Sequence, residues 1–121
     1  MLIVMMACNT IKGYKSFSNE DFNLEVSFKK QDPNTKYLYC ELKIKNITKD
    51  TAKYYNSGVL LIYKSDSLIA YHDSFVSWAS PLRIVPNESL SLDIYFEMPV
   101  MLSESEFSKM SLTYNKPNLP F

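Results

Sequence analysis

The single histidine, His72, stands beside Asp73, and an imidazole oriented by a carboxylate is the pair from which a general base is built. Such a base needs a nucleophile within reach, and the sequence supplies none. On a strand His72 shares a face with Leu68 and Ala70, the setting of an ordinary structural histidine. Zinc asks for three or four His, Cys or carboxylate ligands. One histidine with Cys40 at an inward strand position falls short, so no metal and no cofactor is expected. Asp93 with Glu97, Glu104 with Glu106, and Asp66 with Asp73 are carboxylate pairs of the kind that hold calcium or cleave glycosides. Each fits a solvated face better, where charge keeps a sheet soluble and blunts its edges. The expectation is a chain that is not an enzyme and has no catalytic residues.

The two cysteines carry a different chemistry. Leu2 to Ala7 is a short apolar run, followed by Cys8 and then the polar Asn9, Thr10 and Lys12. That outline resembles the end of a bacterial lipoprotein signal peptide, in which a small residue precedes a cysteine that receives lipid on its sulfur after cleavage. The resemblance implies lipidation at Cys8. It departs from the pattern in having no Lys or Arg before the run and an apolar stretch shorter than the usual ~7 to 15 residues. The competing reading makes Leu2 to Ala7 an ordinary first strand and Cys8 an idle thiol. No stretch reaches the ~18 consecutive apolar residues that span a bilayer as a helix, so membrane attachment is expected only through an N-terminal lipid anchor. Cys40 shares the alternating face of Leu38, Leu42 and Ile44, where a small thiol packs in a core. A Cys8 to Cys40 bridge is the alternative.

Composition narrows the partners. Thirteen basic residues balance thirteen acidic ones without clustering, so the field that draws nucleic acid is missing. With only Gly13 and Gly58 as glycines, phosphate-cradling glycine loops are excluded, and positive-φ turns are expected to fall on Asn, Asp and Ser. Nine tyrosines and seven phenylalanines in 121 residues suit a pleated surface. Asn46-Ile47-Thr48 and Asn87-Glu88-Ser89 match the N-glycosylation acceptor and are read as incidental. A terminal Phe121 is also a feature of outer-membrane barrels, but Pro117 and Pro120 interrupt any final strand and the outward faces are charged, so a barrel is rejected.

The elements that position these residues follow from period-two alternation. Phe22, Leu24, Val26 and Phe28 face one way over residues 22–29, and Leu38, Cys40, Leu42 and Ile44 do so over 37–46. Val59 to Tyr63 and Leu68 to His72 form a hairpin around Lys64-Ser65-Asp66-Ser67, apolar on both faces and therefore central or covered. Phe75, Val76 and Trp78 make a short extended piece. Leu90, Leu92, Ile94 and Phe96 point inward, and Pro99 ends that strand. Ser103-Glu104-Ser105-Glu106 has capping-box spacing and predicts one helical turn. Met110, Leu112 and Tyr114 form a last strand. The stretch from Asn46 to Gly58 reads as polar loop.

Three pieces of this pattern, Leu42-Lys43-Ile44-Lys45-Asn46, Pro86-Asn87-Glu88-Ser89 and Phe96-Glu97-Met98-Pro99, resemble the immunoglobulin-like domains of small bacterial extracellular proteins and lipoproteins of the immunoprotective extracellular type. The resemblance covers roughly residues 20 to 115 and implies an all-β, immunoglobulin-like antiparallel β-sandwich with Greek-key connections. It carries no catalytic residues, and Trp78 follows both cysteines, so an antibody-type Cys, Trp, Cys core is not implied. Residues 1–19 are then a signal remnant and linker, and 20–121 the domain. If the strands pair in immunoglobulin fashion, Tyr37, Tyr39 and Tyr95 lie on one solvent face, a candidate binding face; Tyr54 and Tyr55 are weaker candidates. The expected protein is a monomeric bacterial cell-envelope domain, lipid-anchored or secreted, that binds a protein or glycan. A structural or accessory envelope domain is the alternative, and an unrecognised enzyme the remote one.

Overall fold

The structure, a computed structural model, describes residues 13–55, 58–72 and 82–115. They form β1 (Tyr14–Ser18), β2 (Phe22–Gln31), β3 (Tyr37–Asn46), β4 (Ala52–Tyr54), β5 (Val59–Tyr63), β6 (Asp66–Ile69), β7 (Tyr71–His72), β8 (Leu82–Ile84), β9 (Ser89–Glu97), the short helix α1 (Glu104–Ser108) and β10 (Ser111–Tyr114). The strands pair antiparallel in a five-stranded sheet of order β1-β2-β3-β9-β7, a three-stranded sheet β10-β5-β6 and a ribbon β4-β8.

Alternation explains why the large sheet has two unlike faces. Phe22, Leu24, Val26 and Phe28 of β2, Leu38, Cys40, Leu42 and Ile44 of β3, and Ile94 and Phe96 of β9 are buried. They meet Val59, Leu61 and Tyr63 of β5 and Leu112 and Tyr114 of β10 in one core, so the two sheets stack as layers. Leu90 and Leu92 keep the inward side of β9 but stay half-buried, while Asp93 between them and Ile94 is exposed. A bulge between Phe28 and Lys30 lets Lys29 and Lys30 both face water and returns Gln31 to the interior, as an inserted residue must.

Two buried polar side chains tie the ends of this sandwich. Asn46, with no exposed surface, donates from Nδ2 to the carbonyls of Ile84 at 2.7 Å and Asp50 at 2.8 Å and accepts from the Thr48 amide and hydroxyl. Its backbone is stitched to the turn before β9 by Asn46 N to Glu88 O and Asn87 N to Asn46 O. At the other end, Gln31 donates to Lys36 O and Val100 O and accepts from Leu102 N. The capping box is present: Ser103 Oγ accepts from the Glu106 amide while Glu106 Oε1 accepts from Ser103 N. Phe107 of α1 then lies edge-on to Phe28 at 4.5 Å.

The backbone departs from the alternation pattern in four places. Tyr14–Ser18, within the stretch assigned to the linker, is the edge strand beside β2. Ala52–Tyr54, within the stretch that reads as polar loop, pairs with Leu82–Ile84. The strand expected over 68–72 is split: β6 stays with β5, buried Ala70 breaks the run, and Tyr71–His72 crosses to β9 of the large sheet. The hairpin turn is two residues, Lys64-Ser65, because Tyr63 pairs with Asp66. Positive φ falls on Asn87 as anticipated but also on Lys36 and Lys64, so two lysines carry a conformation that side chains generally resist. Residues 1–12 with Cys8, and 73–81 with Asp73, Phe75, Val76 and Trp78, lie outside the described residues.

A candidate binding face

The outward side of the large sheet collects tyrosines through strand register alone. Tyr39 of β3 lies opposite Tyr95 of β9, and Tyr95 lies opposite Tyr71 of β7. Tyr37, two residues along β3, shares the face because side chains alternate. The structure therefore brings together Tyr37, Tyr39 and Tyr95 and adds Tyr71. That fourth ring was hidden by the sheet switch at Ala70: the unbroken apolar run from Leu68 to Tyr71 gives no sign that the strand changes partners there.

Ring geometry decides what this surface can offer. Tyr95 is stacked on Tyr37 with centroids 4.9 Å apart and planes 19° off parallel, and on Tyr71 at 5.4 Å and 21°. Tyr39 is tilted against Tyr95 at 5.8 Å. Rings stacked in this way stand on the sheet like slats, with the faces of Tyr95 taken by its neighbours, so the row presents mainly ring edges and phenol groups outward. All four are half-buried, held by one another as cross-strand aromatic pairs are.

Charges border the row on both sides. The Lys30 ammonium sits 5.6 Å from the centroid of Tyr39, a cation–π distance. Lys29 Nζ and Asp93 Oδ1 form an ion pair at 3.1 Å, directly across from Glu41 in the register. Tyr37 opposes Glu97, and the carboxylate beside it holds the Tyr37 phenol above its ordinary pKa, with partial desolvation adding to the effect. The phenol stays neutral and able to donate at physiological pH.

The other residues singled out for chemistry are placed apart. His72 opposes buried Ile94 on the core side of β7 and is half-buried. Cys40 is a free thiol, 1% exposed, and burial pushes its pKa up, which makes it a packing residue rather than a nucleophile. Asp93 is engaged by Lys29. Glu106 accepts from the Tyr63 hydroxyl at 2.7 Å and closes the capping box. Among the described residues no three His, Cys, Asp or Glu side chains gather as a metal requires. Tyr54 and Tyr55, considered as surface candidates, are buried instead at 0% and 7% exposure. Tyr54 packs between Phe22 and Tyr114, and the Tyr55 amide donates to the Tyr114 hydroxyl. Their apolar area belongs to the core, which overrides the polar look of their segment. Compared with known proteins, the chain matches no family model, no curated protein and no solved structure.

Proposed function

We propose that the protein is a non-catalytic, immunoglobulin-like binding domain of a bacterial cell envelope, anchored by lipid on Cys8, which contacts a protein partner through the tyrosine row. The observation that carries the binding role is the stacked array of Tyr37, Tyr95 and Tyr71 with tilted Tyr39 on the outward side of the large sheet. Tyrosine is enriched where proteins meet, because a rigid ring offers apolar area at small entropic cost and the hydroxyl finds a partner. Sugar stacking wants open ring faces, and Tyr95 has its own covered, so a protein is favoured over a glycan.

Strand order supports the immunoglobulin-like reading. β2-β3-β9-β7 facing β10-β5-β6 follows the order in which strands A, B, E and D face F, C and C′ in such sandwiches, taken in chain order. β1 then extends the A edge, and β4-β8 is an added ribbon. Envelope placement rests on the outline around Ala7 and Cys8, and intact-mass analysis of the protein from its native membrane fraction tests it; a diacylated Cys8 is expected, and an unmodified chain refutes the anchor.

The binding role is tested by replacing Tyr39 and Tyr95 together with Ser. Loss of a partner retained by the unaltered protein is the expected result, from a variant that still unfolds cooperatively although the lost ring pairs lower its melting temperature. Full retention by the variant removes this face from the account and leaves a structural envelope domain.

A further inference from the structure

The tyrosine row occupies one half of the outward sheet face, and a concave site lies in the other half. A hollow of about 320 Å³ opens over β1, β2, β3 and the start of β9, at the lower end of volumes that hold small ligands. Two register rows build it. Ser18, Asn23, Lys45 and Ser89 lie side by side across four strands, and Ser16, Glu25 and Lys43 form the next row. Leu24 and Ile44, which also border it, are buried with their side chains in the core. They can lend only backbone, so the floor has no apolar anchor of the kind that centres a protein interface.

Each polar group has a distinct capacity there. Ser18 Oγ donates to Asn23 Oδ1 at 2.7 Å, which fixes the amide and turns its NH₂ into the group free to donate outward. Neither Lys43 nor Lys45 has an ion-pair partner among the described residues, although Glu25 opposes Lys43 in the register. The two ammonium groups extend from alternate positions of one strand and border the same hollow, where with the Glu25 carboxylate they leave a net charge of +1. Glu25 and the serine hydroxyls add acceptors, which a bare inorganic anion cannot use but a polyhydroxylated ligand can. Strand pairing fixes the backbone beneath these groups, while the side chains themselves are exposed.

We propose that this hollow binds a short acidic oligosaccharide of the uronic-acid class, with carboxylate on Lys43 and Lys45 and sugar hydroxyls on Ser16, Asn23, Glu25 and Ser89. The site is separate from the tyrosine row and stands or falls without it. It would let one sheet face hold a protein and an acidic glycan side by side.

The experiment titrates trigalacturonic acid, its methyl ester and triglutamate into the isotopically labelled full chain and follows backbone amide shifts. The acid is expected to move the signals of residues 16–18, 23–25, 43–45 and 89, and to bind at least tenfold more tightly than the ester or the peptide. Lys43→Gln with Lys45→Gln should lower that affinity at least tenfold, and the arginine pair should keep most of it. Equal binding of the ester, equal binding of triglutamate, shifts centred on Tyr39 and Tyr95, or no shifts at millimolar ligand would each overturn the proposal. The ester comparison uses the unaltered protein, so it decides the matter even if the glutamine variant fails to fold.

Discussion

Asn46 is the side chain whose loss should cost the fold most for its size. Replacing it with Ala removes the Nδ2 bonds to Ile84 O and Asp50 O and the two Oδ1 bonds from Thr48. The Ile84 carbonyl is bonded in a fully buried site, and a buried group left without its partner costs about 1–3 kcal/mol, while each of the more accessible bonds contributes about 0.5–1 kcal/mol. The total is about 2.5–6 kcal/mol, a large part of the ~5–15 kcal/mol by which a domain is stable. In a chain of this size that lowers the melting temperature by more than about 10 °C. Asn46→Asp keeps the shape and the Thr48 bonds but aims a carboxylate oxygen at two carbonyl oxygens. Burial and those carbonyls raise the folded-state pKa of the new group above the ~3.9 of the unfolded chain. Its penalty is therefore least below pH 4 and grows by up to about 1.4 kcal/mol per pH unit until the folded-state pKa is passed. Urea unfolding of both variants at pH 4 and pH 7 reads this directly. An Asp variant as stable as the parent at pH 7, or one that loses no stability relative to the parent between pH 4 and pH 7, would refute the role assigned to Asn46.

Two other side chains make contrasting predictions. The Tyr54 hydroxyl is buried with no hydrogen-bond partner among the described residues, so Tyr54→Phe should leave stability unchanged or raise it by about 1 kcal/mol. Burial raises the Tyr54 pKa, so stability should fall as the pH climbs above about 10, where the unfolded phenol ionises. The Phe variant should lose less of its stability in alkaline melts, and an identical alkaline fall would count against the burial of this phenol. For Glu106 the Tyr63 hydroxyl and then the Ser103 amide hold the carboxyl below its ordinary pKa. That contribution is present above about pH 4.3 and disappears as the pH falls through the lowered value. Glu106→Gln should melt lower than the parent at pH 7 and match it at pH 2, and a gap that persists in acid would argue for a packing effect instead.

Strands with one wet face were readable from residue order, because the apolar sets at 22–28, 38–44 and 90–96 alternate with polar, charged or tyrosine residues. The capping box around Ser103 was readable for the same reason, as its two partners sit at a fixed offset. Elements that depend on distant pairing were not. β4 and β8 are three residues each and exist only because they meet across thirty positions, and the crossing of Tyr71 to β9 is set by a partner strand that local sequence does not name. The candidate face was legible in Tyr37, Tyr39 and Tyr95, since all three follow from period two once β3 and β9 pair. Their mutual stacking was not, because ring planes depend on all neighbours at once. The hollow over Lys43 and Lys45 was not legible because two of its three serines, Ser16 and Ser18, come from β1, a strand whose short polar run carries little apolar signal.

The most direct test of the binding account places an aromatic photo-crosslinker at Tyr39 on the large sheet and, separately, at Thr113 on the opposite sheet, in the full chain in its native cells. The account predicts a discrete protein adduct from position 39 and none from 113. The same adduct from both positions, or an adduct from 113 alone, would contradict it.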